Sequence, residues 1–389
     1  MSNQGKHTVP AVVVGLCAHG LQIVRELYLA DVPVIALESD FSIPGTKTGC
    51  ATICTAADIN GPGLIDELDK LALSLASGLR PVLFLTNDRM VQTVADAADH
   101  VNTQYRLSWA DSAARLAPLL NKSHIEARCR HTGLNYPESR VLSSLDDLPA
   151  TLSHLHFPVI CKPVQPLSAF KTLVATQPDE LANVQDQLRE CLPLLIQEFI
   201  PGGDGEIHFG ALLLDHGKVL ARFEGRKLHS RPMGHTTIGV SEPNEEIHEL
   251  TTQFFEGLEL SGPVSLELKR APDGSFWVIE PTVGRTDFWA GLCAANGVPL
   301  TTIEYASMTD IEPPRVQQGT RLTWINGERF PGAVAWLLVH EPRRLVSGIK
   351  GVYFDLTDPR PFISSARRAI SALPYRAVRK AKGLLSRHT

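Results

Sequence analysis

The sequence predicts an α/β plus α+β protein: a doubly wound α/β domain over residues 1–118, an α+β domain over residues 119–310, and a small C-terminal appendage over residues 311–389. In the first region, apolar strand-like runs alternate with helically spaced apolar residues, as in a sheet covered by helices. The second region mixes helices with long strands joined by turn sequences, which favours antiparallel pairing. A chain of 389 residues has room for two or three domains of roughly 100–200 residues each.

The composition is that of an ordinary globular protein, with 43% hydrophobic and 20% charged residues, so wholesale disorder is excluded. The net charge of −5 argues against a general nucleic-acid binder. No apolar run approaches the ~18 residues of a membrane-spanning helix, and the polar start differs from a secretory signal. The seven cysteines form no CxxC pair. Reduced thiols and a cytoplasmic location are therefore expected.

The first domain begins with an apolar run at residues 9–16, whose unbroken hydrophobicity predicts a strand buried on both faces. Pro33 begins a second strand that ends at Glu38, and Pro81 begins a third. Because ligands bind outside the carboxyl ends of such strands, residues 86–88 are expected to reach the cleft between domains. Between the first two strands, helical spacing relates four residues: Leu21, Val24, Leu27 and Tyr28.

The second region is predicted to begin with a helix at residues 125–130, capped by Asn121 and ended by Gly133. Long strands are predicted after residue 205, followed by a helix and a hairpin with a Pro-Asp-Gly turn. The predicted segments are strands at 157–164 and 193–200, helices around 179–190, 245–258 and 288–296, the hairpin at 264–285 and a closing segment at 299–308.

The hairpin carries the strongest chemical pattern. If Asp273 and Gly274 form a two-residue loop, Glu267 lies directly opposite Glu280. Directly opposed like charges are destabilising, and a divalent cation would compensate, since Mg²⁺ prefers one or two carboxylates together with nucleotide phosphates. Thr282 shares the strand face of Glu280 and offers a third oxygen. A longer loop with a bulge, which would offset the pair, and a hairpin with two solvated glutamates remain open alternatives.

Two further patterns suit a nucleotide. The first is a set of three lysines that could bind phosphate: Lys122, Lys162 and Lys171. The alternative for each is a side chain that extends into solvent. An apolar strand ends in a segment whose alternating backbone groups suit an adenine ring, and a nearby carboxylate suits ribose hydroxyls. The residues of this segment are Gln197, Glu198, Phe199 and Ile200, with Glu206 as the carboxylate. An ordinary turn with solvated acids is the alternative.

Together these patterns resemble the ATP-grasp superfamily over about residues 1–310, with residues 1–118 similar to the α/β domain that precedes the ATP-grasp domain there. The resemblance rests on the order of Lys122, then FPVICKP, then IQEFIPG, then LELK followed by IEPTVGR. Within the superfamily the pattern is similar to carboxylate–amine ligases of the D-aspartate ligase type.

The resemblance implies a role for each site residue. Lys122 and Lys162 would contact the phosphates of ATP or the adenine N7 region, and Lys171 would contact the phosphates. Residues 197–200 would form the adenine edge, and Glu206 would hold the ribose. Mg²⁺, or Mn²⁺ as an alternative, would be held by three residues: Glu267, Glu280 and Thr282. Arg285 would bind the acyl phosphate or the developing oxyanion, and Arg226 and Lys227 would line the substrate side.

The sequence departs from the superfamily pattern at two positions. Thr282 stands where the last metal ligand is usually Asn. The loop after Lys162 contains no glycine, although many ATP-grasp proteins have a glycine-rich phosphate lid there. Lys171, which ends this loop, would then carry more of the phosphate contact.

The implied activity is ATP-dependent ligation of a carboxylate to an amine through an acyl phosphate, with ADP and phosphate released. The alternatives are a nucleotide-binding relative without turnover and, less favoured, a carboxylase or carbamoyl-phosphate-type enzyme that uses bicarbonate. Small amino-acid-like molecules are the expected partners, and a homodimer is open on general grounds.

The C-terminal tail is distinctly basic. Residues 361–389 contain seven Lys or Arg residues and no acidic residue, and they are loosely amphipathic. A solvated, partly helical appendage and electrostatic docking to an anionic membrane surface are both compatible with this composition.

Overall fold

The computed structural model describes residues 9–164, 172–231 and 235–371. Lys171 and the last part of the basic tail therefore lie outside the described residues. Within the described ranges, no helix has the length and hydropathy that crossing a membrane requires.

Four parallel strands form the predicted N-terminal sheet, in the order β3-β2-β1-β4. The strand predicted after Pro81 is the fourth along the chain, because the short and half-exposed third strand gave no apolar pattern. The elements are β1 (Ala11–Val14), α1 (Ala18–Leu29), β2 (Val34–Glu38), β3 (Thr52–Thr55), α2 (Gly63–Ser74), β4 (Val82–Leu85), α3 (Asp88–Asp96) and α4 (Ala98–Gln104).

The first strand is buried on both faces, as predicted. Val12 and Val14 pack into one apolar cluster, whereas Ala11 and Val13 pack into another on the opposite face. Of the four helically spaced residues of α1, Leu21, Val24 and Leu27 are buried, whereas half of Tyr28 is exposed.

The connection to the second region contains α5 (Ala113–Leu116) and α6 (Ile125–Thr132). Asn121 is not the N-cap of α6, because a 3₁₀ turn at Lys122–His124 intervenes and His124 takes the N-cap position. Gly133 ends α6 in the left-handed conformation with φ of 70°, as predicted.

A small antiparallel sheet follows, with the strand order β5-β8-β6-β7. The predicted helix around 179–190 is two short helices, because Val184 leaves the helical conformation at φ of −122°. The elements are β5 (Ser139–Leu142), α7 (Leu148–Leu152), β6 (Val159–Pro163), β7 (Leu173–Ala175), α8 (Pro178–Ala182), α9 (Gln185–Arg189) and β8 (Leu194–Glu198).

A larger sheet of seven strands has the order β13-β12-β9-β10-β11-β14-β15. All its pairs are antiparallel except β14 with β15. Its strands are β9 (Ile207–Asp215), β10 (Lys218–Arg231), β11 (His235–Ser241), β12 (Gly262–Arg270), β13 (Phe276–Val283), β14 (Thr323–Ile325) and β15 (Ile349–Gly351). The last two strands lie beyond residue 310, where a domain boundary is predicted, and still pair with this sheet.

Six helices complete the described part of the chain: α10 (Glu245–Phe255), α11 (Ala290–Ala295), α12 (Leu300–Ser307), α13 (Ala333–His340), α14 (Pro342–Ser347) and α15 (Arg360–Ser371). One face of the large sheet packs on α10 through Ile247 and Phe254. The opposite face packs on α11, and there Phe209 stacks on Trp289 with ring centroids 4.1 Å apart. Along this second face, the end away from α11 carries the charged residues described next.

Candidate active site

The predicted pairing of Glu267 with Glu280 is present in the hairpin, although the turn differs from the prediction. Lys269 pairs with Trp277, so the loop spans Ala271 to Ser275 and is longer than two residues. A register shift next to Glu267 compensates, because Ile279 is an extra residue on β13. The longer loop and the bulge cancel, which brings the two carboxylates face to face.

Each of these carboxylates contacts a lysine from elsewhere in the chain. Lys227 on β10 lies 2.6 Å from Glu267, and both side chains are at least nine-tenths buried. Lys122, in the turn before α6, lies 3.3 Å from Glu280, whose side chain is about half exposed. The large sheet and the interdomain connection thus assemble two acids and two lysines at one place.

The environment separates the two glutamates electrostatically. Burial raises the pKa of Glu267 to about 7, with Lys227 opposing the shift and the Glu280 charge adding to it. The nearby Lys122 charge holds the pKa of Glu280 below its ordinary value, and this same contact raises the pKa of Lys122. Glu280 is therefore an ionised carboxylate near neutral pH, whereas the pKa of Glu267 lies close to neutral pH.

Lys162 approaches from the small sheet. On β6, Val159 and Cys161 face the apolar cluster of that sheet, so Lys162 lies on the other face. Its Nζ donates a 2.8 Å hydrogen bond to Gln197, whose amide donates in turn to Ser139. Burial and the Lys122 charge lower the pKa of Lys162 to about 8, against the pull of Glu280 and Glu267. The small and large sheets therefore face each other across this charged cleft.

The predicted adenine edge follows β8. The Glu198 side chain points away from the cleft, where its carboxylate accepts two hydrogen bonds from His156. The backbone N–H groups of Glu198 and Phe199 donate to other backbone carbonyls. Among the described residues the Ile200 N–H has no such partner. The Lys269 ammonium lies 4.2 Å from the centroid of the Phe199 ring, which joins this edge to the large sheet.

Glu206 lines an open cavity of about 440 Å³ beside this edge. The walls come from the loop after β8 and from the hairpin turn, with lining residues Pro201, Gly202, Arg270, Ala271, Pro272, Asp273 and Gly274. The predicted ribose carboxylate thus borders a space next to the predicted adenine edge.

Beyond the glutamates, the hairpin leads into a second charged group. Thr282 is buried, and its hydroxyl donates a 3.1 Å hydrogen bond to Asp287. Arg285 Nε donates to Asp88 at 2.7 Å, and Arg285 Nη1 contacts Asp287 and the carbonyl of Thr286. Burial opposes the charge on Arg285, but Asp88 and Asp287 together raise the pKa of its guanidinium.

The contact with Arg285 shows that Asp88, one of the three residues expected to reach the cleft after β4, lies against the segment after β13. His19 on α1 strengthens this junction, since its Nε2 lies 2.8 Å from the Thr286 hydroxyl. Burial and the Arg285 charge lower the pKa of His19 to about 3, so it is a neutral imidazole. The first domain therefore fixes the segment that carries Arg285.

Arg226 is not brought into this cluster. Neighbouring residues on a strand point to opposite faces, and Arg226 lies on the face that turns away from Glu267. There its guanidinium contacts Glu242 at 2.9 Å and the Gly205 carbonyl at 3.3 Å. Of the two adjacent basic residues predicted to line the substrate side, the structure brings only Lys227 to the acids. The prediction for Lys171 lies outside the described residues.

Four residues of the site escaped the sequence prediction: Ser139, Lys269, Asp287 and His19. Lys269 shares the alternation of Glu267 along β12, so its position two residues on was a usable signal. The others lack such a signal, because each meets its partner through tertiary folding or through a turn. Within the described residues, no group of three or more His, Cys, Asp or Glu side chains could hold a metal ion. What these described residues offer is the carboxylate pair of Glu267 and Glu280.

No family model and no curated protein matches the chain. Solved structures do match its fold. An N5-carboxyaminoimidazole ribonucleotide synthetase in complex with ADP aligns with a TM-score of 0.67 at 10% identity, over 87% of both chains. An L-amino acid ligase from Bacillus licheniformis aligns with a TM-score of 0.60 at 17% identity, over 79% of this chain and 78% of that one.

A third match is the biotin carboxylase domain dimer of the 2-oxoglutarate carboxylase from Hydrogenobacter thermophilus, in complex with MgADP, ADP and bicarbonate. It aligns with a TM-score of 0.62 at 12% identity, over 80% of this chain and 72% of that one. At these identities the matches establish the fold.

Proposed function

We propose that this chain, whose fold is that of the ATP-grasp superfamily, is an ATP-dependent ligase that joins a carboxylate to an amine. The observation that carries the proposal is the opposed pair Glu267 and Glu280, set among lysines where the two sheets meet. Such a cleft can bind a polyphosphate and a divalent cation at once.

The donor set fits Mg²⁺ bound together with a nucleotide. Two opposed carboxylates repel each other, and here one lysine compensates the charge of each. The hairpin pairing holds their oxygens close together, where a cation could bind to both. Mg²⁺ commonly takes one or two carboxylates and completes its shell with phosphates and water. Glu267 and Glu280 would hold it, with Thr282 or its partner Asp287 beside them, and it would neutralise phosphate charge. Mn²⁺ has the same ligand preference.

ATP fits the rest of the cleft. Lys162, held by Gln197, and Lys122 would contact the phosphates. The Ile200 N–H would serve the adenine ring, and Glu206 would serve the ribose from the wall of its cavity. In this proposal Glu198 contributes its backbone only, since its carboxylate is taken by His156.

The reaction would proceed in two steps. An oxygen of the substrate carboxylate attacks the γ-phosphorus of ATP, the bond to the β–γ bridging oxygen breaks, and ADP leaves. The amine then attacks the acyl carbon of the acyl phosphate, the bond to phosphate breaks, and an amide, phosphate and a proton are released. Transfers of this kind need positioning and charge neutralisation rather than a protein nucleophile.

Arg285 is suited to the anion that forms between these steps. Its guanidinium is held by Asp88, Asp287 and the Thr286 carbonyl through Nε and Nη1. Among the hydrogen bonds of the described residues, none comes from Nη2, and the side chain is 12% exposed. We propose that an oxyanion entering the cleft would accept from this nitrogen.

Bicarbonate is a second candidate for the carboxylate. It is favoured by the likeness to the carboxylase domain whose structure contains bicarbonate. A nucleotide-binding role without turnover is the remaining alternative, since the Thr282 hydroxyl is occupied by Asp287.

ADP release tests the proposal. Purified protein with Mg-ATP is screened against pairs of amino acids, small diacids with amines, and bicarbonate with amines. We expect one pair to stimulate release, and Glu280→Gln to reduce that rate by about 100-fold or more, because the carboxylate pair is lost. Glu249→Gln is the matched control, since Glu249 is exposed on α10, which packs on the opposite face of the large sheet.

Each result separates the candidates. Release that requires bicarbonate favours the second candidate. ATP binding in a thermal-shift assay without release from any pair favours the role without turnover. Absence of ATP binding contradicts all three.

A further inference from the structure

Helix α15 packs on the protein with its polar side. Successive residues on a helix are 100° apart, which places five residues of α15 on one apolar face: Phe362, Ile363, Ala366, Ala369 and Ile370. Phe362, Ile363 and Ile370 are 43%, 45% and 66% exposed. On the other side, Arg368 donates a hydrogen bond to the Ser42 carbonyl, and Pro361 is buried. The usual arrangement, with the apolar face against the core, is reversed.

The helix is anchored firmly in this orientation. Asp358, just before α15, is buried and lies 3.0 Å from the buried Arg25 of α1. Its carboxylate also accepts hydrogen bonds from the Thr48 hydroxyl and the Gly49 N–H. The outward apolar face therefore follows from a buried charge network at the start of the helix.

Neighbouring residues extend the apolar surface. Phe354 contacts Phe362 edge to face, with ring centroids 5.2 Å apart, and is itself about half exposed. Leu356 is 84% exposed. An exposed apolar surface of this kind marks an interaction site more often than a scattered exposed residue does.

The charge on α15 and in the sequence that follows it has one sign. Arg360 and Arg367 flank the apolar face on α15, and the sequence after Asp358 contains no acidic residue. Residues 372–389 add five more Lys or Arg residues. An apolar face bordered by arginines is the pattern of a helix that lies in a membrane interface.

We propose that α15 docks this protein on an anionic lipid surface, with Phe362, Ile363 and Ile370 entering the interface and the arginines contacting headgroups. A bilayer is favoured over a second copy of the chain, because two copies would bring the same arginines together and repel. Anionic headgroups instead attract Lys and Arg close to the surface. The proposal is independent of the ligase function.

Vesicle co-sedimentation of the full chain tests the proposal. The probes are phosphatidylcholine vesicles with and without about one third phosphatidylglycerol. We expect binding to the anionic vesicles that weakens with added salt, and a loss of about tenfold or more in the Ile363→Glu/Ile370→Glu double variant. Leu73→Glu is the matched control, since Leu73 is an 87% exposed leucine on α2. Arg367→Gln should weaken binding to the vesicles that contain phosphatidylglycerol and leave binding to pure phosphatidylcholine vesicles unchanged.

Three results would overturn the proposal. The first is no binding of the wild type to anionic vesicles. The second is equal binding by the wild type and a folded double variant, which would place the contact elsewhere. The third is a wild-type dimer in sedimentation equilibrium that the double variant converts to a monomer, which would show that a second copy covers this face. The substituted side chains are exposed, so the variants are expected to fold, and circular dichroism checks this.

Discussion

Lys227 and Glu267 form the most buried ion pair of the cleft, at 2.6 Å. Without Lys227, which opposes the raised pKa of Glu267, the buried carboxyl must either stay charged without compensation or take up a proton, and both cost stability. We predict that Lys227→Met lowers the free energy of unfolding by on the order of 2–4 kcal/mol in the absence of metal. Mg-ATP should narrow this difference, because a cation at Glu267 replaces the lost positive charge.

Thermal unfolding of the wild type and Lys227→Met, with and without Mg-ATP, measures both parts of this prediction. Lys218→Met is the control, since Lys218 is exposed at the start of β10. An equal difference with and without Mg-ATP would contradict a cation site at Glu267.

Glu304 on α12 gives a pH dependence. Its carboxylate is 4% exposed and accepts a 2.6 Å hydrogen bond from Ser108. Burial raises its pKa to about 8, so between the ordinary value of 4.5 and about 8 the folded protein binds more protons than the unfolded chain. Stability from this group is therefore full below pH 4.5 and is lost as the pH rises towards 8.

We predict that Glu304→Gln is close to neutral at pH 5 and stabilises the protein at pH 8 by on the order of 1–3 kcal/mol. Urea unfolding across this pH range measures the effect, with Glu249→Gln as the exposed control. Equal free energies of unfolding for the wild type and Glu304→Gln at pH 8 would contradict the prediction and would show that the Glu304 carboxylate is solvated.

At the residue scale, the sequence predicted the groups that lie in local motifs. Glu267, Glu280 and Lys162 belong to strands whose alternation and neighbours are visible in the sequence. The contact of Arg285 with Asp88 spans 197 positions, and local spacing carries no signal for it. Arg226 was assigned to the substrate side with Lys227, although strand alternation requires two adjacent residues to face apart.

At the element scale, the joint after β13 decides where Arg285 lies. Gly284 has a φ of +71°, and a Cβ there would lie 2.8 Å from Val91 of the first domain. Both the left-handed backbone and the close contact exclude larger residues. The TVGR run therefore needs its glycine for backbone geometry and for packing between domains.

We predict that Gly284→Ala lowers the free energy of unfolding by on the order of 2–4 kcal/mol and reduces any ADP release more than stability alone explains, because it displaces Arg285. Gly257→Ala is a matched control: Gly257 has the same φ of +71°, but a Cβ there meets nothing within 4 Å. Equal effects of the two substitutions in urea unfolding and in ADP release would reduce the role of Gly284 to backbone strain.

Elements with a strong periodic pattern were predicted well, as β1 and α10 illustrate. The short strand β3 was missed, because its exposed threonines give no apolar run. The hairpin shows a subtler limit. Its pairing of Glu267 with Glu280 was predicted from a two-residue loop, and it holds because the bulge at Ile279 offsets a longer loop. Bulges depend on packing across the whole sheet, which turn residues do not encode.

At the scale of the whole molecule, the C-terminal segment ties the large sheet to the first domain. After β15, the carbonyls of Val352 and Tyr353 accept hydrogen bonds from Arg25, and Gln22 donates to Val352 as well. Asp358 completes the network with its ion pair to Arg25. The C-terminal segment, predicted from sequence to be a separate appendage, thus forms a buried ion pair with α1. The weak local patterns of this segment could not indicate such a contact.

This network should behave as one unit. We predict that Asp358→Asn and Arg25→Met are each destabilising by about 3–5 kcal/mol, since each leaves a partner buried and unpaired. The double variant should cost less than the sum by at least about 1 kcal/mol, because the second substitution removes the unpaired group.

The same cycle on Arg222 and Glu245, an exposed and doubly hydrogen-bonded pair, should give a smaller coupling, because water screens it. Urea unfolding of the wild type and the six variants measures both cycles. Additive costs at Arg25 and Asp358 would mean that the C-terminal segment is held by its backbone contacts alone, and α15 would then lose the anchor that fixes its apolar face outward.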